Sequence, residues 1–358
     1  MESGVKTLTF SPEQAAAISG IEAFLKSDLQ TYVLHGLAGT GKTTVLADVA
    51  RRYPDAILCT LTGKAASVLR RKTDLPACTI HAAFYQIEEV ERRISGRKNI
   101  KFRVVHDRDQ LAGKIVLLDE CSMVDENIAR DLIRTGAKIV ACGDPGQLPP
   151  VSGRQFFDQP DCTLREIHRQ ALESPIIRQA HRVRSGQPYE ADGEAFRVCR
   201  RVTNEEIIGA DAILTFSNNT RIAANAHARR ARGIWEPAPQ PGEPVMCLKN
   251  VREIGIFNGA VYTLLEPFDE GDHVIKIDRD GEALTIPFVT FSGLREALPD
   301  GVEEAVTSFD FGYAMTVHKS QGSEWSNVIL LDECKKDIRD KWLYTGITRA
   351  ADRIIVRA

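Results

Sequence analysis

The stretch HGLAGTGKTT, residues 35–44, carries Gly36, Gly41, Lys42 and Thr43 at the spacing GxxxxGKT. A loop of this kind turns several backbone N–H groups toward one point and so cradles phosphates, with Lys42 reaching the β- and γ-phosphates and Thr43 holding Mg²⁺. Hydrolysis needs two further things, a carboxylate for the metal and a group that orients or deprotonates water. The segment IVLLDECSM supplies both at the end of an apolar run, with Asp119 expected as outer Mg²⁺ ligand and Glu120 as base for the attacking water. An acid pair also occurs as a plain solvated strand end; the loop upstream is what makes the catalytic expectation. Further on, GDPGQLPPV places Gln147, whose amide offers both a donor and an acceptor to a γ-phosphate or to the water, and so could sense hydrolysis.

These groups must be held by particular elements. TYVLH reads as a short buried strand and TTVLADVARRY as a helix, the strand–loop–helix setting a phosphate loop requires. From residue 31 onward short apolar runs (DAILCTL, KIVLLDE, AKIVACGD) alternate with helix-like stretches (GKAASVLRR, DENIARDLIRTG), the pattern of a parallel sheet flanked by helices. Residues 85–112 interrupt it with two charged, partly alternating stretches around SGRK, read as a β-hairpin or small surface insertion, with a helix plus a loop as the alternative. A second α/β set begins with DAILTFSNNT and resumes with GYAMTV, NVILLDE and RIIVRA. Between its halves, residues 233–305 hold a Pro-rich piece and then short strands separated by Asn-Gly and Asp-Gly turns, which suggests a small inserted antiparallel β-barrel. The expected division is therefore an α/β first domain over 1–155, a second over 156–232 and 306–358, and the insertion at 233–305.

Composition bounds the rest. A chain of 358 residues, 43% hydrophobic and 27% charged, is expected to be soluble and to form two or three domains. Its N-terminus lacks the basic start and apolar core of a signal peptide, and no apolar run approaches bilayer length, so a cytoplasmic location without membrane association is expected. Eight cysteines are scattered singly, without CxxC pairs, which argues against zinc or a disulfide framework and for reduced thiols, several of them in buried strands. The net charge of −3 gives no global attraction to nucleic acid. Any such binding must come from local basic groups and backbone contacts.

In their order the motifs resemble superfamily 1 helicases of the RecD-like and Dda-like branch, which translocate 5′ to 3′ on single-stranded DNA. The resemblance runs from FSPEQAAAI to YTGITRA. It implies two RecA-like domains with an inserted pin hairpin and an inserted SH3-like barrel, and ATP with Mg²⁺ as cofactors. SPEQ resembles the adenine-contacting segment, with Gln14 as reader. GLAGTGKTT resembles the first motif, with Gly36, Ala38, Gly39, Thr40, Gly41, Lys42, Thr43 and Thr44 on the nucleotide, joined by Glu324 from YAMTVHKSQGSEW. LTGKAASVL and TIHAAF resemble DNA-contacting motifs, which makes Thr62, Gly63, Lys64, Thr79 and His81 candidates. TVHKSQG adds Thr316, His318, Lys319, Ser320 and Gln321. Such positions suit hydroxyls, backbone N–H groups and helix N-termini that bind phosphates, with capping of strand–helix junctions as the alternative. REIHRQ and LYTGITRA resemble the motifs that send Arg169 and Arg349 to the γ-phosphate, which would put ATP between two domains whose closure delivers both guanidinium groups.

The expectation is an ATP-dependent DNA helicase that moves 5′ to 3′ on single-stranded DNA, acts as a monomer at junctions of single- and double-stranded DNA, and meets replication or recombination proteins near the nucleoid. Contacts confined to phosphate and sugar would make its binding non-specific and salt-dependent. Other classes stay open at this point: a translocase without strong unwinding, RNA as the track, a phosphate-loop switch or kinase not coupled to nucleic acid, and a nucleic-acid clamp whose ATPase has decayed.

Overall fold

Ser11 starts the first helix as its sequence dictates. Its hydroxyl accepts the Gln14 N–H, the Gln14 side chain accepts the Ser11 N–H, and Pro12 occupies the first turn, where a missing N–H costs nothing. In the computed structural model, which describes residues 9–90, 99–104, 111–150, 154–249, 251, 256, 258–268, 271, 273–279, 281–292, 294, 306–335 and 337–358, the chain divides into two units, 1–173 and 174–358.

The first unit runs α1 (Pro12–Leu25), β1 (Thr31–Gly36), α2 (Lys42–Arg52), β2 (Ile57–Thr60), α3 (Gly63–Thr73), β3 (Cys78–Thr79), α4 (Ile80–Phe84), β4 (Tyr85–Val90), β5 (Asn99–Val104), β6 (Ile115–Leu118), α5 (Glu126–Arg134), β7 (Lys138–Gly143), β8 (Cys162–Leu164) and α6 (Arg169–Glu173). Six strands form one parallel sheet in the order β3-β2-β6-β7-β1-β8. Successive side chains of a strand point to opposite faces, and the two cores divide accordingly. Leu34, Leu58, Leu117 and Val140 pack with Ile21 and Phe24 of α1 and Val45, Leu46 and Val49 of α2. Their neighbours Val33, Cys59, Val116 and Ile139 pack with Ile80, Phe84, Ala129 and Leu132 on the other face. Each fully buried aliphatic side chain contributes about 1.5–3 kcal/mol. β4 and β5 form a separate antiparallel ladder from Tyr85↔Val104 to Val90↔Asn99; the remaining parts of the expected 85–112 insertion, 91–98 and 105–110, lie outside the described residues.

The boundary expected at 155 moves to 173. β8 pairs in parallel with β1, with Leu34 opposite Cys162 and Gly36 opposite Leu164, and the Asp161 carboxylate accepts the Val33 N–H at 2.7 Å. Three residues with one buried side chain carry too little periodicity to be read as a strand.

The second unit contains α7 (Pro175–Arg184), β9 (Phe196–Cys199), α8 (Asn204–Gly209), β10 (Ala212–Thr215), α9 (Asn218–Ala231), β11 (Pro244–Cys247), β12 (Val261–Leu264), β13 (Ile275–Arg279), β14 (Glu282–Ile286), β15 (Val289–Phe291), β16 (Thr307–Phe311), β17 (Ala314–Thr316), β18 (Trp325–Leu331), α10 (Arg339–Ile347) and β19 (Ala350–Arg357). Its parallel sheet has the order β17-β10-β18-β19-β9. A second sheet, β14-β13-β12-β11-β16-β15, is antiparallel except where β15 meets β16, and it closes on its own core of Val245, Ile275, Ile277, Ile286, Val289 and Phe309. This sheet takes in Thr307–Phe311, beyond the insertion boundary expected at 305, because β16 pairs with β11 on one side while its chain runs on through Gly312 and Tyr313 into β17.

Two buried ion pairs fasten α9 to this antiparallel sheet. Arg221 meets Asp310 at 2.6 Å, and Arg229 meets Glu243 through two nitrogens at 2.7 and 3.0 Å, with the Tyr313 hydroxyl donating to the same carboxylate. Satisfied on both sides, such pairs fix position more than they add stability. All eight cysteines are free thiols, with Cys59, Cys142 and Cys247 buried inside strands. No described helix is long and apolar enough to cross a membrane.

Candidate active site

The phosphate loop spans Gly36–Gly41 between β1 and α2. Gly41 has a φ of 79°, and a Cβ there would meet the Gln14 amide and come within 2.9 Å of His168 Nε2, so only glycine fits. Leu37, Ala38 and Gly39 form the turn, which Thr40 closes by donating its hydroxyl to Leu37 O at 2.9 Å. Lys42, Thr43 and Thr44 open α2. Lys42 Nζ donates to Leu37 O at 3.0 Å and lies 3.9 Å from Asp144 Oδ2. Burial works to neutralise this ammonium, but Asp144, Glu120 and Asp119 around it outweigh that effect and raise its pKa. Lys42 is thus held charged at the place where phosphate charge would be received.

Asp119 directly follows the buried run of β6, and its Oδ2 stands 3.4 Å from the Thr43 hydroxyl. Burial, and then the Glu120 charge beside it, raise the Asp119 pKa to about 6. An oxygen pair of this kind, a hydroxyl and a buried carboxylate facing each other, is the donor set that a hard divalent cation takes. Glu120 follows in the left-handed region at φ 56°, which turns its side chain away from the strand direction. Gly143, at the end of β7, allows this turn: a Cβ there would come 2.6 Å from Cys121 Sγ and 3.2 Å from the Ser122 N–H.

Gln147 is 7% exposed, and its Oε1 is buried without a hydrogen-bond partner. A buried amide oxygen left unpaired costs about 1–3 kcal/mol. An atom in that state has the capacity to accept one further hydrogen bond. Asp144, which the sequence reading passed over, organises the segment: its Oδ1 accepts the Gly146 N–H at 2.8 Å, its backbone oxygen accepts the Gln147 N–H, and its Oδ2 faces Lys42.

Gln14 and His168 form a second feature over the loop. Gln14 Nε2 donates to Thr40 O at 3.4 Å and lies 2.7 Å from His168 Nε2, and the His168 N–H donates to Gly39 O at 3.1 Å. His168 was missed in sequence, although it stands one residue before Arg169. Arg169 opens α6; its side chain lies outside those described.

Of the residues expected on nucleic acid in this unit, Thr62 and Thr79 are N-caps, their hydroxyls accepting the Ala65 and Ala82 N–H groups at 3.2 and 3.0 Å. Each hydroxyl keeps its own proton to donate. Gly63 opens α3, and Lys64 beside it is buried enough that desolvation lowers its pKa to about 8. The His81 ring lies 4.9 Å from that of Tyr85, whose hydroxyl donates to Asp131 at 2.9 Å.

In the second unit, Thr316 ends β17 with its hydroxyl accepting the Lys319 N–H at 3.4 Å. His318 and Lys319 are half-exposed and Gln321 is buried. Ser320 is fully buried and its hydroxyl donates to Val317 O at 2.8 Å, so its side chain holds the turn from inside. Glu324 is half-buried at the entry to β18. Arg349 is 5% exposed, and its guanidinium donates within its own unit to Thr345 O at 3.0 Å, Ser323 O at 3.1 Å and the Thr348 hydroxyl at 3.2 Å.

A parallel sheet with a phosphate loop after its first strand, an acid pair after another and a buried glutamine beyond a third defines a phosphate-loop nucleotide-binding domain. The chain belongs to the AAA domain family, whose model matches residues 9–201; with a match to the UvrD-like helicase C-terminal domain over residues 311–356, it is a member of superfamily 1 in the RecD-like and Dda-like branch. The chain is 29% identical to the ATP-dependent RecD2 DNA helicase of Deinococcus radiodurans over 96% of this chain and 48% of that protein, so it spans about half the length of that relative. It is 28% identical to the ATP-dependent DNA helicase dda of Enterobacteria phage T4 over 49% of this chain and 42% of that protein. In fold it is similar to Bacteroides Pif1 bound to single-stranded DNA, with a TM-score of 0.61 at 21% identity over 98% of this chain and 92% of that one.

Proposed function

We propose that this chain is an ATP-dependent DNA helicase that moves 5′ to 3′ on single-stranded DNA and separates duplex as it goes. The observation that carries the reading is the complete hydrolytic set, Lys42, Thr43, Asp119, Glu120 and Gln147, in a chain whose relatives include DNA helicases by name. Lys42 binds the β- and γ-phosphates, Glu120 takes a proton from the attacking water, and Gln147 orients that water through its unpaired oxygen. Thr43 and Asp119 would hold Mg²⁺, whose charge offsets that of the phosphate oxygens during transfer. Gln14 reads the adenine edge. Arg169 and Arg349 are assigned to the γ-phosphate; for Arg349 this means exchanging its bonds to Thr345, Ser323 and Thr348 for phosphate oxygens.

Both units are taken as RecA-like. Thr62, Lys64, Thr79 and His81 in one, and Thr316, His318 and Lys319 in the other, contact the sugar–phosphate backbone of the strand, so turnover becomes movement. The β4–β5 ladder acts as the pin that splits the duplex, and the antiparallel sheet over 244–311 acts as an SH3-like barrel along the DNA path. A bond from the Val289 N–H to His273 O at 2.8 Å, which brings β15 beside the start of β13, supports the barrel reading. The test is strand separation with ATP and Mg²⁺ on duplexes carrying a 5′ or a 3′ single-stranded tail. Only the 5′-tailed duplex should open; opening from the 3′ tail alone, or from neither while ATP is hydrolysed, rejects the proposal.

A further inference from the structure

The second unit holds a pocket that neither the phosphate chemistry nor the nucleic-acid motifs use. Helix α8 has 6 residues against the 14 of α9, so it covers only part of the face that β10, β18 and β19 present. Between the two helices lies a cavity of about 400 Å³ whose walls are Val202, Ile207, Ile213, Ala224, Ile329 and Leu331. It sits at the carboxyl ends of the strands, since Leu331 and Arg357 end β18 and β19, and Arg200 and Arg201 follow β9. Open α/β sheets tend to receive ligands at that edge.

The rim of this cavity is cationic. Arg200, Arg201 and Arg357 line it with His227 of α9, and all four are exposed. The acids of the surrounding elements are engaged elsewhere: Glu206 pairs with Arg197, Asp332 with Arg339, and Glu333 accepts the Phe216 and Ser217 N–H groups and the Thr220 hydroxyl. Glu205 lines a separate cavity on the other side of α8. Among the described residues, none pairs with the three rim arginines.

We propose that this pocket docks a partner protein through an acidic peptide segment, one aliphatic or aromatic side chain entering the cavity while neighbouring carboxylates face Arg200, Arg201 and Arg357. Guanidinium groups bind carboxylates through paired, charge-assisted hydrogen bonds, and an apolar anchor in a pre-formed pocket supplies the area that rim charges cannot. Single-stranded nucleic acid would meet the same arginines and could stack on His227, but the cavity itself is walled by aliphatic side chains and holds no Phe, Tyr or Trp, which suits an apolar side chain better than a base. An acidic peptide with an apolar anchor matches both wall and rim.

The test is fluorescence anisotropy on the full chain with a labelled probe peptide, Glu-Asp-Glu-Asp-Leu-Phe, against a counterpart with Lys at the four acidic positions. The acidic probe should bind more tightly. Ala223→Phe, which fills the pocket from the exposed side of α9, should weaken it by about tenfold or more, and so should Arg200→Glu combined with Arg201→Glu. Both variants should keep wild-type binding of oligothymidine, which reports an intact fold. The proposal is overturned if the Lys peptide binds as well, or if Ala223→Phe leaves the acidic probe unaffected. It is equally overturned if charge reversal weakens oligothymidine while sparing the peptide, which would assign the surface to nucleic acid.

Discussion

Gln14 Nε2 stands 2.7 Å from His168 Nε2, and the two side chains together occupy the space a Cβ on Gly41 would need. Gln14 Oε1 already accepts the Ser11 N–H at 3.1 Å, so the end facing His168 is the nitrogen. An amide nitrogen only donates, so His168 Nε2 is the acceptor of this bond. With the His168 N–H on Gly39 O, the pair holds the loop from outside the strand–loop–helix unit.

His168→Ala should therefore raise the KM for ATP about fivefold while changing kcat little, since one hydrogen bond of this kind contributes about 1 kcal/mol. Combining it with Gln14→Ala should add little, because the two act as one device. Steady-state kinetics of the single and double variants decide this, and fully additive losses would show that they work separately.

The local part of this site was readable from sequence and the distant part was not. Gly36, Gly41, Lys42 and Thr43 belong to one loop, and Asp119 and Glu120 to one strand end, so spacing alone brings them forward as candidates. His168 touches Gln14 across 154 positions, and Arg221 meets Asp310 across 89. No periodicity encodes such meetings. The same limit set the domain boundaries: β8 and β16 are short, and only their pairing with β1 and β11 assigns them to a unit. Thr62 and Thr79 were readable as both caps and nucleic-acid contacts, and the caps are now seen. For Ser320 the sequence does not reveal that its hydroxyl is spent inside its own turn.

Arg349 joins the last helical turn of α10 to Ser323 through two buried hydrogen bonds, to Thr345 O and Ser323 O, with a third to the Thr348 hydroxyl. Arg349→Ala should lower stability by about 1–3 kcal/mol for the orphaned acceptors. If the same guanidinium serves the γ-phosphate, turnover should also fall by ~10³-fold with a smaller change in ATP affinity. Thermal denaturation and kcat measured side by side distinguish the roles. Lower stability with near-normal turnover would leave Arg349 as an internal fastening alone.

Lys64 gives a pH dependence of defined sign. Its folded-state pKa of about 8 lies below that of an exposed lysine, about 10.4, so the folded chain binds fewer protons than the unfolded one between these values. Stability should rise with pH across that window, the penalty being fully present below about pH 8. Lys64→Met, which keeps the stem and removes the charge, should stabilise the chain by on the order of 2 kcal/mol near pH 7 and by little near pH 10.5. Urea denaturation at the two pH values checks this. The same variant should weaken single-stranded DNA binding if Lys64 meets a phosphate.

The most direct test of the central claim is steady-state ATP hydrolysis with Mg²⁺, with and without an unstructured single-stranded DNA, in the wild type and in Glu120→Gln. Strong stimulation by DNA is expected in the wild type and its loss in Glu120→Gln, with DNA binding retained. Turnover indifferent to DNA, or undiminished by Glu120→Gln, would contradict it.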